Sequence, residues 1–186
     1  MKEKINMIIL KKKYHRCWGG VLFLVAGSVS AVDVTVNITG EIVIPPCTVN
    51  NGQTIEVTFG DIPVSDVTNS RYRQKKDVPI NCTYYQGTPY IRVTGTQLTG
   101  AGTHVLRTDI SNFGIALYQG DGVSTPLRLG NGTSNGSEYI GYPVTSGLNG
   151  TSSGTFTFTA VPFKTGSAEL SAGAFIATAS MSITYM

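Results

Sequence analysis

Charge is scarce in this chain: Asp, Glu, Lys and Arg make up only 13% of its 186 residues, about half the usual share. So few ionisable groups leave little material for acid–base chemistry or for a basic surface that would hold nucleic acid. Histidine is rarer still, with His15 and His104 the only two. No convincing 3.6-residue apolar period appears, which argues against amphipathic helices. The pronounced apolar run, Trp18 to Ala26, is too short for a membrane span, which needs about 20 residues as a helix.

That run has a different meaning in its context. Lys2, Lys4, Lys11, Lys12, Lys13 and Arg16 precede it against one acid, Glu3, and Gly27-Ser28-Val29-Ser30-Ala31 follows it. A basic stretch, a short apolar stretch and small residues make a secretory signal peptide. Cleavage is expected after Ala31, with Ser30 the alternative. The leader carries six of the 14 basic residues and one of the 11 acids, so the 155 residues that remain hold 8 and 10, a net charge of −2. The positive charge of the whole chain belongs to the leader. It gives no reason to expect nucleic acid or anionic lipid as a partner.

Cys17 leaves with the leader, and Cys47 and Cys82 remain. Two cysteines in an exported chain read as one disulfide, because the compartment beyond the inner membrane is oxidising. A two-cysteine metal site would need further ligands, and His104 is the sole histidine left. No metal and no cofactor is expected.

The mature chain suits one domain and is rich in short alternating runs. Ile55, Val57 and Phe59 alternate with Thr54, Glu56 and Thr58. Phe113, Ile115 and Leu117 alternate with Gly114 and Ala116, and Phe156, Phe158 and Ala160 with threonines. Val78 to Thr83 and Tyr90 to Thr94 are further strand candidates. Asn51-Gly52, Gly87-Thr88-Pro89, Asp121-Gly122, Asn131-Gly132, Asn135-Gly136 and Asn149-Gly150 punctuate these runs with the residues that tight turns require. Short strands with frequent turns predict an all-β antiparallel sandwich or barrel.

The two ends carry the most information. Gly173 to Met186 reads as one long strand with Phe175, Ala177, Ala179, Met181, Ile183 and Tyr185 on one face; Ile176 alone interrupts the polar face. No residues follow to cover its far edge, and a bare apolar edge is an aggregation hazard. At the other end Val34, Val36, Ile38, Gly40, Ile42 and Ile44 alternate with Asp33 to Val43, and Pro45-Pro46 stops the pattern. The chain thus begins with an apolar strand that needs a sheet and ends with a sheet edge that needs a strand. The first could fold back on the second, giving a monomer. It could equally fill the edge of a neighbouring copy, and such head-to-tail association does not close and makes fibres. Five aliphatic anchors at roughly 1.5–3 kcal/mol each would contribute on the order of 10 kcal/mol gross.

These ends resemble those of chaperone–usher pilins, in which a glycine fourteenth from the C-terminus and a penultimate tyrosine bracket the last strand. Gly173 and Tyr185 stand there. The glycine-interrupted strand from Val34 to Ile44 is similar to the family's N-terminal extension, and Cys47 and Cys82 match its disulfide. Ile44 to Thr48, Phe113 to Gly120 and Thr178 to Ser182 are similar to the minor tip-adaptor subunits of this family.

The resemblance implies an immunoglobulin-like sandwich of six strands lacking its seventh, with an extension over residues 32–45 and a pilin domain over 46–186. A periplasmic chaperone would lend a strand to the groove beside Gly173, Phe175, Ala177, Ala179, Met181, Ile183 and Tyr185. At the outer-membrane usher a neighbouring pilin's extension would replace it. The subunit would link a tip adhesin to the rest of a surface fimbria.

Other readings are weaker. A two-domain adhesin has no room, since Cys47 comes only 16 positions after Ala31. Tyr84, Tyr85, Tyr90 and Tyr118 could stack on a glycan but are ordinary strand residues. Gly132-Thr133-Ser134-Asn135-Gly136 fits G-x-S-x-G, yet Asn-Gly turns flank it where a nucleophile needs a strand and a helix. His104 reads as a surface residue, and Arg71, Arg73, Lys75 and Lys76 as a solvated loop. No catalytic residue and no small-molecule substrate is expected. The N-x-[ST] matches at Asn37, Asn81, Asn131, Asn135 and Asn149 arise freely in so Thr- and Ser-rich a chain.

Overall fold

A computed structural model describes residues 32–68, 70–134 and 139–186. The expected leader, its cleavage site and the Asn135-Gly136 turn lie outside the described residues. Residues 32–40 belong to a unit of their own; they join no ladder, and Val34, Val36 and Ile38 are exposed. The second unit spans Glu41–Met186.

Among the described residues ten strands build that unit: β1 (Thr48–Val49), β2 (Gln74–Asn81), β3 (Pro89–Gly95), β4 (Val105–Arg107), β5 (Phe113–Gln119), β6 (Thr125–Pro126), β7 (Thr133–Ser134), β8 (Tyr139–Pro143), β9 (Ser153–Lys164) and β10 (Ala179–Tyr185). One sheet runs β1-β2-β9-β5-β4, with β6 also on β5, and the other runs β10-β3-β8-β7. All of these ladders are antiparallel. Apolar residues of alternate positions meet between the sheets: Val78 and Ile80 of β2, Ile91 and Val93 of β3, Phe156 and Phe158 of β9, and Ile183 and Tyr185 of β10 are all buried in one core. This is the layered arrangement that alternation dictates.

Strand β5 departs from simple alternation, because it is buried on both faces. Its outer face, at Ala116, packs under Leu98 and Val105 in a small second cluster. A Cβ on Gly114 would lie 2.6 Å from the Leu106 carbonyl oxygen and 2.9 Å from the Val105 side chain, so only glycine lets the 97–106 segment close over the sheet. Gln119 at the strand's end joins the two sheets. Its amide donates to the Pro143 carbonyl (3.1 Å), and its oxygen accepts from the Thr145 N–H (3.1 Å).

The Cys47–Cys82 disulfide is present, with Cα atoms 4.2 Å apart. It ties the residue before β1 to the residue after β2, closing a loop of 35 positions. On the chain-entropy account a loop of this length stabilises the fold by about 4 kcal/mol.

Four sequence expectations need correction. The C-terminal strand is laddered only over Ala179–Tyr185; Gly173, Phe175 and Ala177 lie in an extended stretch that joins no ladder. Among the described residues the longest strand is β9, with 12 residues. Ile55, Val57 and Phe59 show alternating burial but form no strand, for a reason that the site makes plain. Lys75 and Lys76 belong to β2, where Lys75 pairs with Asp77 (3.4 Å) and Asp121 (3.8 Å). His104 is only partly exposed: its ring packs on Tyr118, with centroids 5.0 Å apart and Nε2 3.3 Å from the hydroxyl. Burial holds its pKa below the ordinary histidine value.

Candidate functional site: an open strand edge and its cleft

Strand β10 has β3 on one side, in register from Ala179↔Gly95 to Tyr185↔Pro89. Thr88 and Met186 exchange two backbone hydrogen bonds at 2.7 and 2.9 Å. In an antiparallel ladder such exchanging pairs recur at every second residue. Thr184, Ser182 and Ser180 therefore bond to β3, while Ile183, Met181 and Ala179 turn their N–H and C=O groups the other way. At that outer edge the Ile183 carbonyl accepts the Cys47 N–H at 2.7 Å. Above it, among the described residues, the edge has no ladder partner.

The same residues that turn their backbones outward direct their side chains inward, because both alternate with period two. Ile183 is fully buried and Met181 half-buried. Beside them the sandwich is split by a cleft of about 240 Å3, with Ile55, Val57 and Phe59 on one wall and Phe175, Ala177, Ala179 and Met181 on the other. Val93, Leu106, Ile115, Leu117, Phe158 and Ala160 form its floor. Towards Gly173 it opens into a wider space of about 680 Å3, lined by residues 57–62 and 170–175 together with Ile110 and Phe113. Phe175 borders both parts, edge-to-face on Phe113 with centroids 4.7 Å apart and 6.1 Å from Phe59.

The missing ladder at 54–59 now has a physical cause. This segment and the 173–178 stretch face each other across the cleft, so neither reaches a hydrogen-bonding neighbour. Across the cleft the two segments share no ladder, and the Phe59 and Phe175 rings, 6.1 Å apart, approach each other from its two sides. No ionisable side chain lines the narrower part; its chemistry is apolar contact and backbone hydrogen bonding alone.

The structure thus brings Phe175, Ala177, Ala179 and Met181 to one cleft wall, with Gly173 at its wide end and Ile183 and Tyr185 in the core below. The opposite wall of Ile55, Val57 and Phe59 was legible as alternation but not as a site. Its signal was a strand pattern without a second pattern to pair with. Ile176, the exception on the polar face, is exposed, and its N–H donates to the Asp109 carboxylate at 2.9 Å. Of the G-x-S-x-G match, Thr133 and Ser134 lie in β7 and Gly132 bridges to Gly141, while Asn135 and Gly136 lie outside the described residues.

Comparison with known proteins agrees with this geometry. The family model described as Fimbrial protein matches residues 36–186. The fimbrial adapter PapF of Escherichia coli is 53% identical over 153 residues, which cover 82% of this chain and 88% of PapF. The minor fimbrial protein PrsF of Escherichia coli is 52% identical over the same length and shares. Among solved structures, the P pilus adaptor subunit PapF, studied for the determinants of its polymerization reactivity, superposes with a TM-score of 0.54 at 43% identity, over 78% of this chain and all of that one. A subunit of a chaperone–usher pilus, at 20% identity and a TM-score of 0.52 over 87% of this chain and all of that one, shares the fold. This chain belongs to the Fimbrial protein family and is an immunoglobulin-like pilin of the chaperone–usher kind.

Proposed function

We propose that this chain is a minor adaptor pilin that joins its neighbours by exchanging strands, with residues 1–31 as leader, 32–45 as the donated extension and 46–186 as the pilin domain. The observation that carries the reading is the open edge of β10 beside an apolar cleft. Strand addition there would satisfy the outward N–H and C=O groups of Ala179 and Met181 and fill the space between Phe59 and Phe175 with alternate side chains. The complementary part is the extension, in which Val34, Val36, Ile38, Ile42 and Ile44 supply anchors and Gly40 a narrow point.

During export a periplasmic chaperone would complete the sheet, and at the outer-membrane usher a neighbour's extension would take its place. The relatives named as adapter and minor fimbrial protein support a linking role between a tip adhesin and the fibre. The role is structural and adhesive in its consequence, not catalytic.

Co-expression of the chain in a periplasm with and without a pilus chaperone tests this. Rescue from aggregation as a one-to-one complex is the expected result. A soluble monomer that needs no chaperone would mean that the chain completes its own fold, and the strand-exchange reading would fall.

A further inference from the structure

The short tether between the extension and the domain has a steric consequence. Only Pro45 and Pro46, three residue steps in all, separate the last anchor, Ile44, from Cys47, whose disulfide and bond to Ile183 fix it to the domain. At 3.3–3.6 Å per residue they span about 10 Å. If the extension lies in a neighbour's cleft, the body of that neighbour must come up against the pole of this domain from which the extension leaves.

That pole is unlike the other. Cys47–Cys82, the Cys82 N–H bond to the Ser152 carbonyl and the Thr88–Met186 pair bring together the turn after β1, the β2–β3 loop, the β8–β9 loop and the C-terminus. Residues 47–55, 82–88 and 144–152 contain no Asp, Glu, Lys, Arg or His. The loops at the far pole carry Asp61, Asp66, Arg71, Arg73, Asp109, Lys164 and Glu169.

On the charge-free pole Tyr84, Tyr85 and Met186 are exposed, at 38%, 40% and 37%. The two tyrosine hydroxyls bond to no other described residue. Gly87, with φ +96°, holds the loop against the C-terminus, since a Cβ there would fall 2.2 Å from the Met186 carbonyl oxygen. The surface is therefore fixed rather than a loose tip. Tyrosine and methionine enriched and charge depleted is the composition of the centre of a protein interface.

We infer that Tyr84 and Tyr85, with Met186, form a docking surface for the body of the neighbouring pilin whose cleft takes this chain's extension, an inference that rests on the strand-exchange reading. The surface would fix the angle between the two subunits, which the extension alone would hold through the single Pro45-Pro46 connection. The aromatic rings supply contact area at low conformational cost, and their hydroxyls supply hydrogen bonds at the rim.

The test is site-specific photo-crosslinking in cells expressing the full chain with the fimbrial gene cluster that carries it. p-Benzoylphenylalanine is placed at position 84, at position 85 or, as a control away from this pole, at Val123, which is 50% exposed. The expected result is an adduct with a second fimbrial subunit in isolated fibres from positions 84 and 85 and none from Val123. Fibres that contain the chain without such adducts, equal adducts from Val123, or adducts with the chaperone alone would each overturn the docking surface and leave strand exchange standing. Failure of the chain, with its extension intact, to enter fibres at all would overturn both.

Discussion

Strand β9 and the segment from Gly173 to Tyr185 carry the same kind of sequence and meet different fates. Both alternate apolar and polar residues, the former from Thr155 to Ala160 and the latter from Gly173 to Tyr185 with Ile176 the exception. The former is laddered along its whole length, with β2 on one side and β5 on the other. The latter is laddered only over its last seven residues and only on one side, while 173–178 stay extended beside an open cleft. Alternation thus determines which side chains face the core, but a ladder also requires a neighbour. Where the chain supplies none, the pattern shows in burial and not in hydrogen bonds. The 54–59 segment on the opposite wall makes the same point.

The largest effect should come from removing the strand proposed to enter a neighbour's open edge. Deletion of Val32 to Ile44 is expected to leave chaperone binding unchanged and to abolish entry into fibres, scored by immunoblot of sheared fimbriae against periplasm. Normal incorporation of the deleted chain would end the donor role of these residues.

The next effect in size concerns Cys47, which closes the lower end of the open edge through its bond to Ile183. Cys47→Ala/Cys82→Ala is expected to lower stability by about 4 kcal/mol, read from denaturant midpoints of the chaperone-released or strand-complemented protein. A smaller but more discriminating pair is Ile183→Ala against Ile176→Ala. Ile183 is fully buried, so its truncation should cost about 3 kcal/mol. Ile176 is 68% exposed, and its truncation should stay within about 0.5 kcal/mol. Similar costs at both sites would contradict the assignment of faces.

The smallest effect lies on the fully covered side, at His104 beside Tyr118 of β5. Burial lowers its pKa in the folded state, so the unfolded chain binds the proton more readily. Its contribution is complete above the unfolded value, about 6.5, and declines as pH falls from there toward the folded pKa. The denaturation midpoint of the natural protein should fall more between pH 7 and 5.5 than that of His104→Gln. An equal fall would show that His104 does not contribute.

Much of this was legible in the residues. Two cysteines in an exported chain pointed to the disulfide, and the alternation at Phe156 to Ala160 and at Met181 to Tyr185 gave the correct inward faces. The resemblance pointed to the C-terminal strand, whose outer edge has no ladder partner among the described residues above Ile183. What could not be read was which alternating runs would find partners. Ile55 to Phe59 and Phe175 to Ala177 are as β-prone as their laddered counterparts, and their lack of a ladder is a property of topology. Nor was the double burial of β5 legible, since Gly114 and Ala116 read as a neutral outer face until Leu98 and Val105 closed over them. The charges of Lys75 and Lys76 read as a loop, although lysine on the solvent face of a sheet, as Lys75 paired with Asp77 and Asp121, is compatible with a ladder.

The most direct test of the central claim is amide hydrogen exchange along β10, measured on the strand-free chain at low concentration before and after addition of a synthetic peptide of residues 32–45. Protection is expected at Ser180 and Ser182 in both states, through β3, and new protection at Ala179 and Met181 only after the peptide binds. Protection of Ala179 and Met181 from the outset would mean that the edge is already filled by the chain itself, and would contradict the claim.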